Sequence, residues 1–211
     1  MNRSTINLHL GDSLEAMRGM EDNAYDLAIV DVPYGLNINV SMGRRKGDKK
    51  SNYHKFAGGD KESPPQEYFD QLFRVSQNQI VWGANHFISK MPFNSSCWLM
   101  WDKGFSEDVT FAQFELAWTS FKTTCKKFDK HPANPNRIHP TEKPVKLYEW
   151  LLHNYAKEGD KILDTHLGSC SIAIAAHNLC FDLDGWELNA DYHAAGVKRF
   201  EQHKRQIQLF K

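Results

Sequence analysis

Cysteine is scarce in this 211-residue chain, and the four present, Cys97, Cys125, Cys170 and Cys180, form no C-x-x-C pair. That spacing indicates neither a zinc knuckle nor a disulfide scaffold, so free thiols in a reducing cytoplasm are expected. The ten histidines include no H-E-x-x-H arrangement, and no metal is expected. No apolar run approaches the ~20 residues needed to span a bilayer, so no membrane association is expected. The opening Met1-Asn-Arg-Ser-Thr-Ile has no signal-peptide apolar region, so export is not expected either. An excess of one charge is also missing, since 26 Lys and Arg balance 26 Asp and Glu. The basic residues are nevertheless bunched. Arg44, Arg45, Lys46, Lys49 and Lys50, then His54 and Lys55, form one group, and Lys122, Lys126, Lys127, Lys130, His131, Arg137 and His139 form another. Phosphate binding depends on such local patches rather than on net charge, although a charge run can equally be a solvated loop.

What is present reads as one α/β domain over residues 1–211. The length fits a single core, and 41% hydrophobic with 25% charged residues is a globular composition. Ile6 to Leu10 alternates as a strand, and Asp12 or Ser13 can cap a short helix through Met20. Tyr25 to Val30 is a short buried strand. A helix opening at Ser63-Pro-Pro-Gln-Glu67 carries the stripe Tyr68, Leu72 and Val75 with Phe69 and Phe73. Strands follow at Gln79–Trp82 and Cys97–Trp101, with a short helix from Asn85 to Lys90 between them. Phe111 to Trp118 alternates as a strand, though a helix also fits. Leu147, Trp150, Leu151 and Tyr155 mark a helix whose first turn carries Pro144. Gly159–Asp164 is a strand, Ile172–Leu179 a helix, Leu179–Glu187 a strand, and Asn189 to about Leu209 a closing helix. Alternation of strand and helix predicts a doubly wound, mostly parallel sheet with helices on both faces. Residues 35–65 and 119–140 lack periodicity and read as long loops, of the length that usually serves function.

Chemistry concentrates at strand ends. Asp31-Val32-Pro33-Tyr34 follows the apolar run Tyr25–Val30, at the place where open α/β sheets bind ligands. An exocyclic amino nitrogen is a poor nucleophile because its lone pair is delocalised into the ring. The Asp31 carboxylate and the Val32 carbonyl can each accept one of its N–H bonds, favouring a pyramidal nitrogen and stabilising the charge it gains on methylation. Pro33 sets φ, and Tyr34 offers a ring for a base to stack on, worth ~1–3 kcal/mol. The bland alternative is an ordinary strand-end turn. Further on, Asp164 at a strand end, Gly168 and a helix start form a nucleotide-binding arrangement, without a G-x-G-x-x-G fingerprint or a Walker lysine. Glu187, at the end of the next strand, suits ribose hydroxyls. The polar His139-Pro-Thr-Glu-Lys-Pro144 ahead of a helix can receive an anionic group such as a carboxylate.

Taken together these motifs resemble the S-adenosylmethionine-dependent DNA amino-methyltransferases of the circularly permuted beta group. Gly11-Asp12-Ser13-Leu14 resembles the family's G-D-S-L, Asp31 to Tyr34 its D-P-P-Y, and His139 to Pro144 its H-P-T-x-K-P. Ile162-Leu-Asp164 onward is similar to L-D-P-F-x-G-S-G-T-T, and Gly185-Trp-Glu187-Leu-Asn189 to G-x-E-x-N. The resemblance covers nearly the whole chain and implies a Rossmann-like methyltransferase fold with a seven-stranded sheet. It implies S-adenosylmethionine as cofactor, double-stranded DNA as partner, and methyl transfer to a flipped-out base, adenine N6 first because the tetrapeptide is led by aspartate. Asp31, Val32, Pro33 and Tyr34 would hold the base. Asp164, Gly168 and Ser169 would border the methionine half of the cofactor, Thr141 and Lys143 its carboxylate, and Glu187 the ribose. Asp12, Thr165, His166 and Asn189 are assigned to the same cofactor site. Arg44, Arg45, Lys46, Lys49, Lys50, Lys126, Lys127 and Arg137 would contact DNA from the two long loops. Family members often pair as homodimers.

The chain departs from the family pattern at Val32 for the first proline, Thr165-His166 for P-F, and Cys170-Ser171-Ile172 for G-T-T. A catalytically silent cofactor- and DNA-binding relative, or cytosine-N4 methylation, are the alternatives. Methylation of RNA or of a protein amide is a further rival, disfavoured because protein-amide enzymes usually carry the cofactor motif first.

Overall fold

The computed structural model describes residues 4–36, 62–105, 112–130, 138–139 and 141–208. Among these, eight strands form one sheet: β1 (Ile6–Leu10), β2 (Tyr25–Val30), β3 (Ser76–Trp82), β4 (Trp98–Asp102), β5 (Phe114–Thr119), β6 (Lys126–Asp129), β7 (Lys161–Asp164) and β8 (Asp182–Glu187). Their order is β1-β8-β7-β2-β3-β5-β4-β6, and β5 alone runs against the rest. From β2 the chain proceeds to β3 on one side, and from β7 it proceeds to β8 on the other. The strand order therefore reverses between β7 and β2, and the carboxyl ends of these two strands flank the crevice in which such sheets bind ligands.

Side-chain alternation in β2 divides the core into two layers. Leu27 and Ile29 pack with α3 (Val145–Tyr155), α4 (Ser171–Leu179) and Phe200 of α5 (Ala190–Gln208). Ala28 and Val30 pack on the other face with Met17 of α1 (Ser13–Arg18) and with Tyr68, Phe69, Leu72 and Val75 of α2 (Gln66–Val75). A period of two in the strand meets periods near 3.6 in the helices, which gives three layers. Asp12 caps α1 by accepting the Leu14 N–H at 2.8 Å, as its position before the helix predicts.

Four expectations need correction. The sheet has eight strands instead of seven, because Lys126–Asp129, inside the expected second loop, pairs in parallel with β4 as an edge strand. Its sequence, KKFD, has one apolar residue, so periodicity cannot reveal it. Lys126 and Lys127 are consequently strand residues. Lys127 lies 2.8 Å from Asp129 and Lys126 donates to Asn154 at 3.2 Å. Pro144 sits outside the first turn of α3, as its N-cap, which suits a residue that cannot donate a hydrogen bond. The short helix expected over Asn85–Lys90 is two 3-10 turns, Ala84–His86 and Ile88–Lys90. Arg44, Arg45, Lys46, Lys49, Lys50 and Arg137 lie outside the described residues.

Candidate active site

The polar end of β2 meets a buried charge network. Asp31 leaves the strand with its side chain 17% exposed and its Oδ2 2.6 Å from Nζ of Lys143, which is only 3% exposed. The same ammonium stands 2.9 Å from Glu115 Oε2, and Lys103 Nζ stands 2.6 Å from Glu115 Oε1. Tyr34 donates its hydroxyl to Asp31 Oδ1 at 2.8 Å, lies 3.2 Å from Glu115 Oε2, and accepts from Lys143 at 3.3 Å. The Lys143 ammonium also lies 5.4 Å from the centroid of the Trp82 ring. Two carboxylates and two ammoniums thus share a site with little water, where each unpaired charge would be costly.

The two acids are pushed apart. Glu115 is opposed by burial but faces two ammoniums, Lys143 and then Lys103, and is held down to about 2. Asp31 is pushed up by burial and by the neighbouring Glu115 charge, against the pull of Lys143. Burial depresses Lys143, yet Asp31 and Glu115 outweigh it and keep the ammonium charged. An ionised Glu115 beside a more readily protonated Asp31 leaves Asp31 as the acid whose state can respond to a ligand.

The Tyr34 ring rests on the turn after β3. Gly83 has φ +72°, and a Cβ there would lie 2.0 Å from Tyr34 Cε1. His86 of the same turn stacks on the ring at 5.3 Å with a 20° tilt. Gly83→Ala should therefore cost roughly 1–2 kcal/mol in backbone strain, with more from the displaced ring. A fall in melting temperature together with loss of Tyr34 stacking, read by fluorescence, is the expected outcome. Val32, in place of the family's proline, is buried in the second core layer, so its side chain serves packing.

Next to this turn, β7 ends in Asp164. Its carboxylate is 2% exposed, accepts the His166 N–H at 2.9 Å, and meets no side-chain cation within ion-pair distance among the described residues. Burial raises it to about 8, with Asp31 and Glu187 adding to the effect. The loop that follows turns at Gly168, φ +49°, whose N–H donates to Glu187 Oε2 at 2.9 Å, while Asn189 N–H donates to Glu187 Oε1 at 2.9 Å. Each Glu187 oxygen keeps a further lone pair. Cys170, at the family's glycine position, also adopts positive φ, +58°. Room for its thiol comes from α5, where Gly196 replaces a side chain whose Cβ would lie 2.5 Å from the Cys170 sulfur. Ser169 is buried, with its hydroxyl 3.0 Å from that of Ser171. Thr165 turns towards α2, bonded to the Tyr68 hydroxyl and to His166 Nδ1.

The segment before α3 ties the two halves together. His139 packs over Gly168, its Cγ 3.6 Å from where a Cβ would be. Glu142 lies 3.3 Å from Arg199, which donates to the Ser169 carbonyl at 2.7 Å and the Ser171 hydroxyl at 2.9 Å. The next residue is Lys143, on Asp31. Tyr34 and Gly168 are therefore linked through His139, Glu142 and Lys143, at one end of the sheet. Of the residues assigned to the cofactor, Asp164, Gly168, Glu187 and Asn189 converge on one loop, with Ser169 and His166 beside it. Lys143 instead faces Asp31, and Thr141 is exposed, with its hydroxyl 3.1 Å from His139 Nδ1. Glu115, Lys103, Gly83 and Arg199 are site residues that no motif marks.

Burial holds the rings of His139 and His166 neutral, each down to about 4. Unfolding frees them to bind protons near pH 6.5, so stability is lost as pH falls from 6.5 towards 4, on the order of 1–3 kcal/mol per ring. Asp164 acts in the opposite direction, since its raised pKa makes unfolding more favourable as pH rises from about 4 to 8. Below pH 6.5 the two rings act against the raised acids, and above it the rings are neutral in both states and only the raised acids, Asp164 and Asp31, act. Melting temperature of the ligand-free protein should peak near pH 6.5, and Asp164→Asn should flatten the alkaline side.

The profile of the N6/N4 methyltransferase family, described as DNA methylase, matches residues 81–198. The type II methyltransferase M.HpaI of Haemophilus parainfluenzae is 23% identical, covering 90% of this chain and 72% of its own length. Among solved structures, the M1.HpyAVI–SAM complex superposes with TM-score 0.60 and 16% identity, over 92% of this chain and 98% of its own. The PvuII DNA methyltransferase, cytosine-N4-specific, gives TM-score 0.61 and 14% identity over 97% and 92%. These likenesses bear out the Rossmann-like methyltransferase fold.

Proposed function

This chain belongs to the N6/N4 DNA methylase family, and from that premise we propose that it transfers a methyl group from S-adenosylmethionine to the exocyclic amino group of a flipped-out base in double-stranded DNA, adenine N6 in the first place. The observation that carries the reading is the joining of Asp31 to the Gly168 loop by His139, Glu142 and Lys143.

The residues fit the cofactor. Asp164 and Glu187 are two neighbouring acids without a cationic partner among the described residues, which suits a ligand bearing an ammonium, a sulfonium and ribose hydroxyls. Asp164 and the Gly168–Ser169 backbone would border its methionine half, and Glu187 its ribose. Bound S-adenosylmethionine would supply a sulfonium methyl, its S–C electron pair staying on sulfur as the methyl passes to nitrogen.

The rest is the work of this chain's residues. Both Asp31 oxygens keep a lone pair beyond the bonds to Tyr34 and Lys143, so the carboxylate can still accept an amino N–H. With the Val32 carbonyl taking the other N–H, the nitrogen is drawn out of conjugation and its growing charge is met by an acceptor already in place. Tyr34, braced on Gly83 and His86, offers a fixed ring for the extruded base. Extrusion costs a few kcal/mol, offset by stacking and by phosphate contacts from the basic segments. One proton leaves the nitrogen for water with or after transfer.

Incubating DNA with tritiated S-adenosylmethionine and digesting it to nucleosides tests the reading. Label in N6-methyladenine supports it, label in N4-methylcytosine moves the target to cytosine, and DNA binding without label identifies a silent relative.

A further inference from the structure

Lys143 and Lys103 together bring into the site more positive charge than Asp31 alone can balance. Lys103 stands on the outer oxygen of Glu115, Lys143 on the inner one, and Lys143 also on Asp31. The set of four is neutral only with Glu115 ionised. Around Asp31 the described residues add as titratable groups Tyr34 from its own turn, Asp164 at the end of β7, and Tyr148 of α3. None of these is a carboxylate placed between the two lysines.

On the methyl-transfer reading, on which this rests, the amino nitrogen gains positive charge a short distance from the Lys143 ammonium. We propose that Glu115 is a positioning residue for this transfer: by holding Lys143 at 2.9 Å while the ammonium pairs with Asp31 at 2.6 Å, it keeps that cation shared between two carboxylates, and it keeps the pocket from becoming net cationic as the nitrogen is methylated. Glu115 would act through Lys143, whose ammonium it shares with Asp31. Without it, two lysines would face one carboxylate. Lys143 would then draw wholly onto Asp31, and an acceptor engaged by a buried ammonium is a weaker partner for an N–H.

The test uses the full chain with Glu115→Gln, Lys103→Met and the double variant. Glu115→Gln should lower kcat about ten- to hundredfold with DNA affinity unchanged. The double variant, neutral again, should recover most of that loss, which a merely structural role for Glu115 would not produce. Independently of turnover, the carboxyl-carbon NMR titration of Asp31 in the ligand-free protein should move to lower pH in Glu115→Gln, where a like charge has gone. It should move to higher pH in Lys103→Met, where a cation has gone. A Glu115→Gln enzyme with wild-type kcat, or a double variant no faster than the single one, overturns the proposal. A wild-type chain that transfers no methyl defeats the methyl-transfer reading instead, and an Asp31 titration unmoved in both single variants then overturns the positioning role. Should Glu115→Gln not fold, Lys103→Met alone carries the titration, with an unmoved or downward shift overturning the proposal.

Discussion

Asp31→Ala should lower the single-turnover rate of methyl transfer by about 10²–10³-fold, the size of effect seen when one preorganised partner of a developing charge is removed. The substitution takes away the only carboxylate that the structure places on the D-V-P-Y turn. It does more than delete an acceptor, since Lys143 and Lys103 are left with Glu115 as their sole acid in the network, and the pocket becomes cationic where the nitrogen must gain positive charge. Asp31→Asn separates the two effects, because it retains one oxygen acceptor but gives up the charge, and its loss should be close to that of alanine. Cofactor affinity, measured by calorimetry, should remain near wild type in both, as Asp164 and Glu187 are untouched. A labelled product formed by Asp31→Ala at a rate within tenfold of wild type would remove Asp31 from the chemistry.

Lys143→Met should produce the largest loss of stability, about 3–5 kcal/mol near neutral pH, the cost of breaking a buried ion pair by removing one partner. At 3% exposure the ammonium has no water to replace, and its loss strands Asp31. Glu115 still has Lys103, so Asp31 bears most of the damage. The sign with pH is specific. Without Lys143 the folded-state pKa of Asp31 rises further above its unfolded value, and such a carboxylate destabilises the fold as pH rises through that window. Protonation relieves it. Urea melts of the variant should therefore show a larger deficit at pH 8 than at pH 5, and a deficit equal at both would mean that Asp31 does not depend on this ion pair.

These two residues also show how unequally the site is visible in sequence. Asp31 is legible because a carboxylate, a proline and an aromatic follow an apolar run whose boundaries, Tyr25 to Val30, agree with the strand. Asp164 and Glu187 are legible because each closes a short strand, KILD and DLDGWE, just ahead of a turn and a helix. Lys143 is visible as part of a motif, but its partner is not, because the choice between a cofactor carboxylate and Asp31 depends on where the segment before α3 crosses the crevice. Glu115 carries no signal at all. It stands near the start of β5, and a strand start would ordinarily lie away from the ligand end of a parallel sheet. Because β5 runs antiparallel, its first residues lie at the carboxyl edge of the other strands, opposite Trp101 and Asp102 of β4. Strand β6 was hidden for a simpler reason, since an edge strand needs backbone pairing and little burial, and KKFD has almost no apolar pattern to read.

Local sequence alone thus determined the strands and helices with strong apolar periodicity, the three acidic strand ends and the glycine turn, since each depends on residues within a few positions of one another. Tertiary structure decided which strand runs backwards, which lysine neutralises which carboxylate, and that Gly196 on the last helix makes room for Cys170. Charge pairing in a buried site is settled by through-space distances of about 3 Å between elements far apart in the chain, and linear order carries no record of those distances until the sheet has formed.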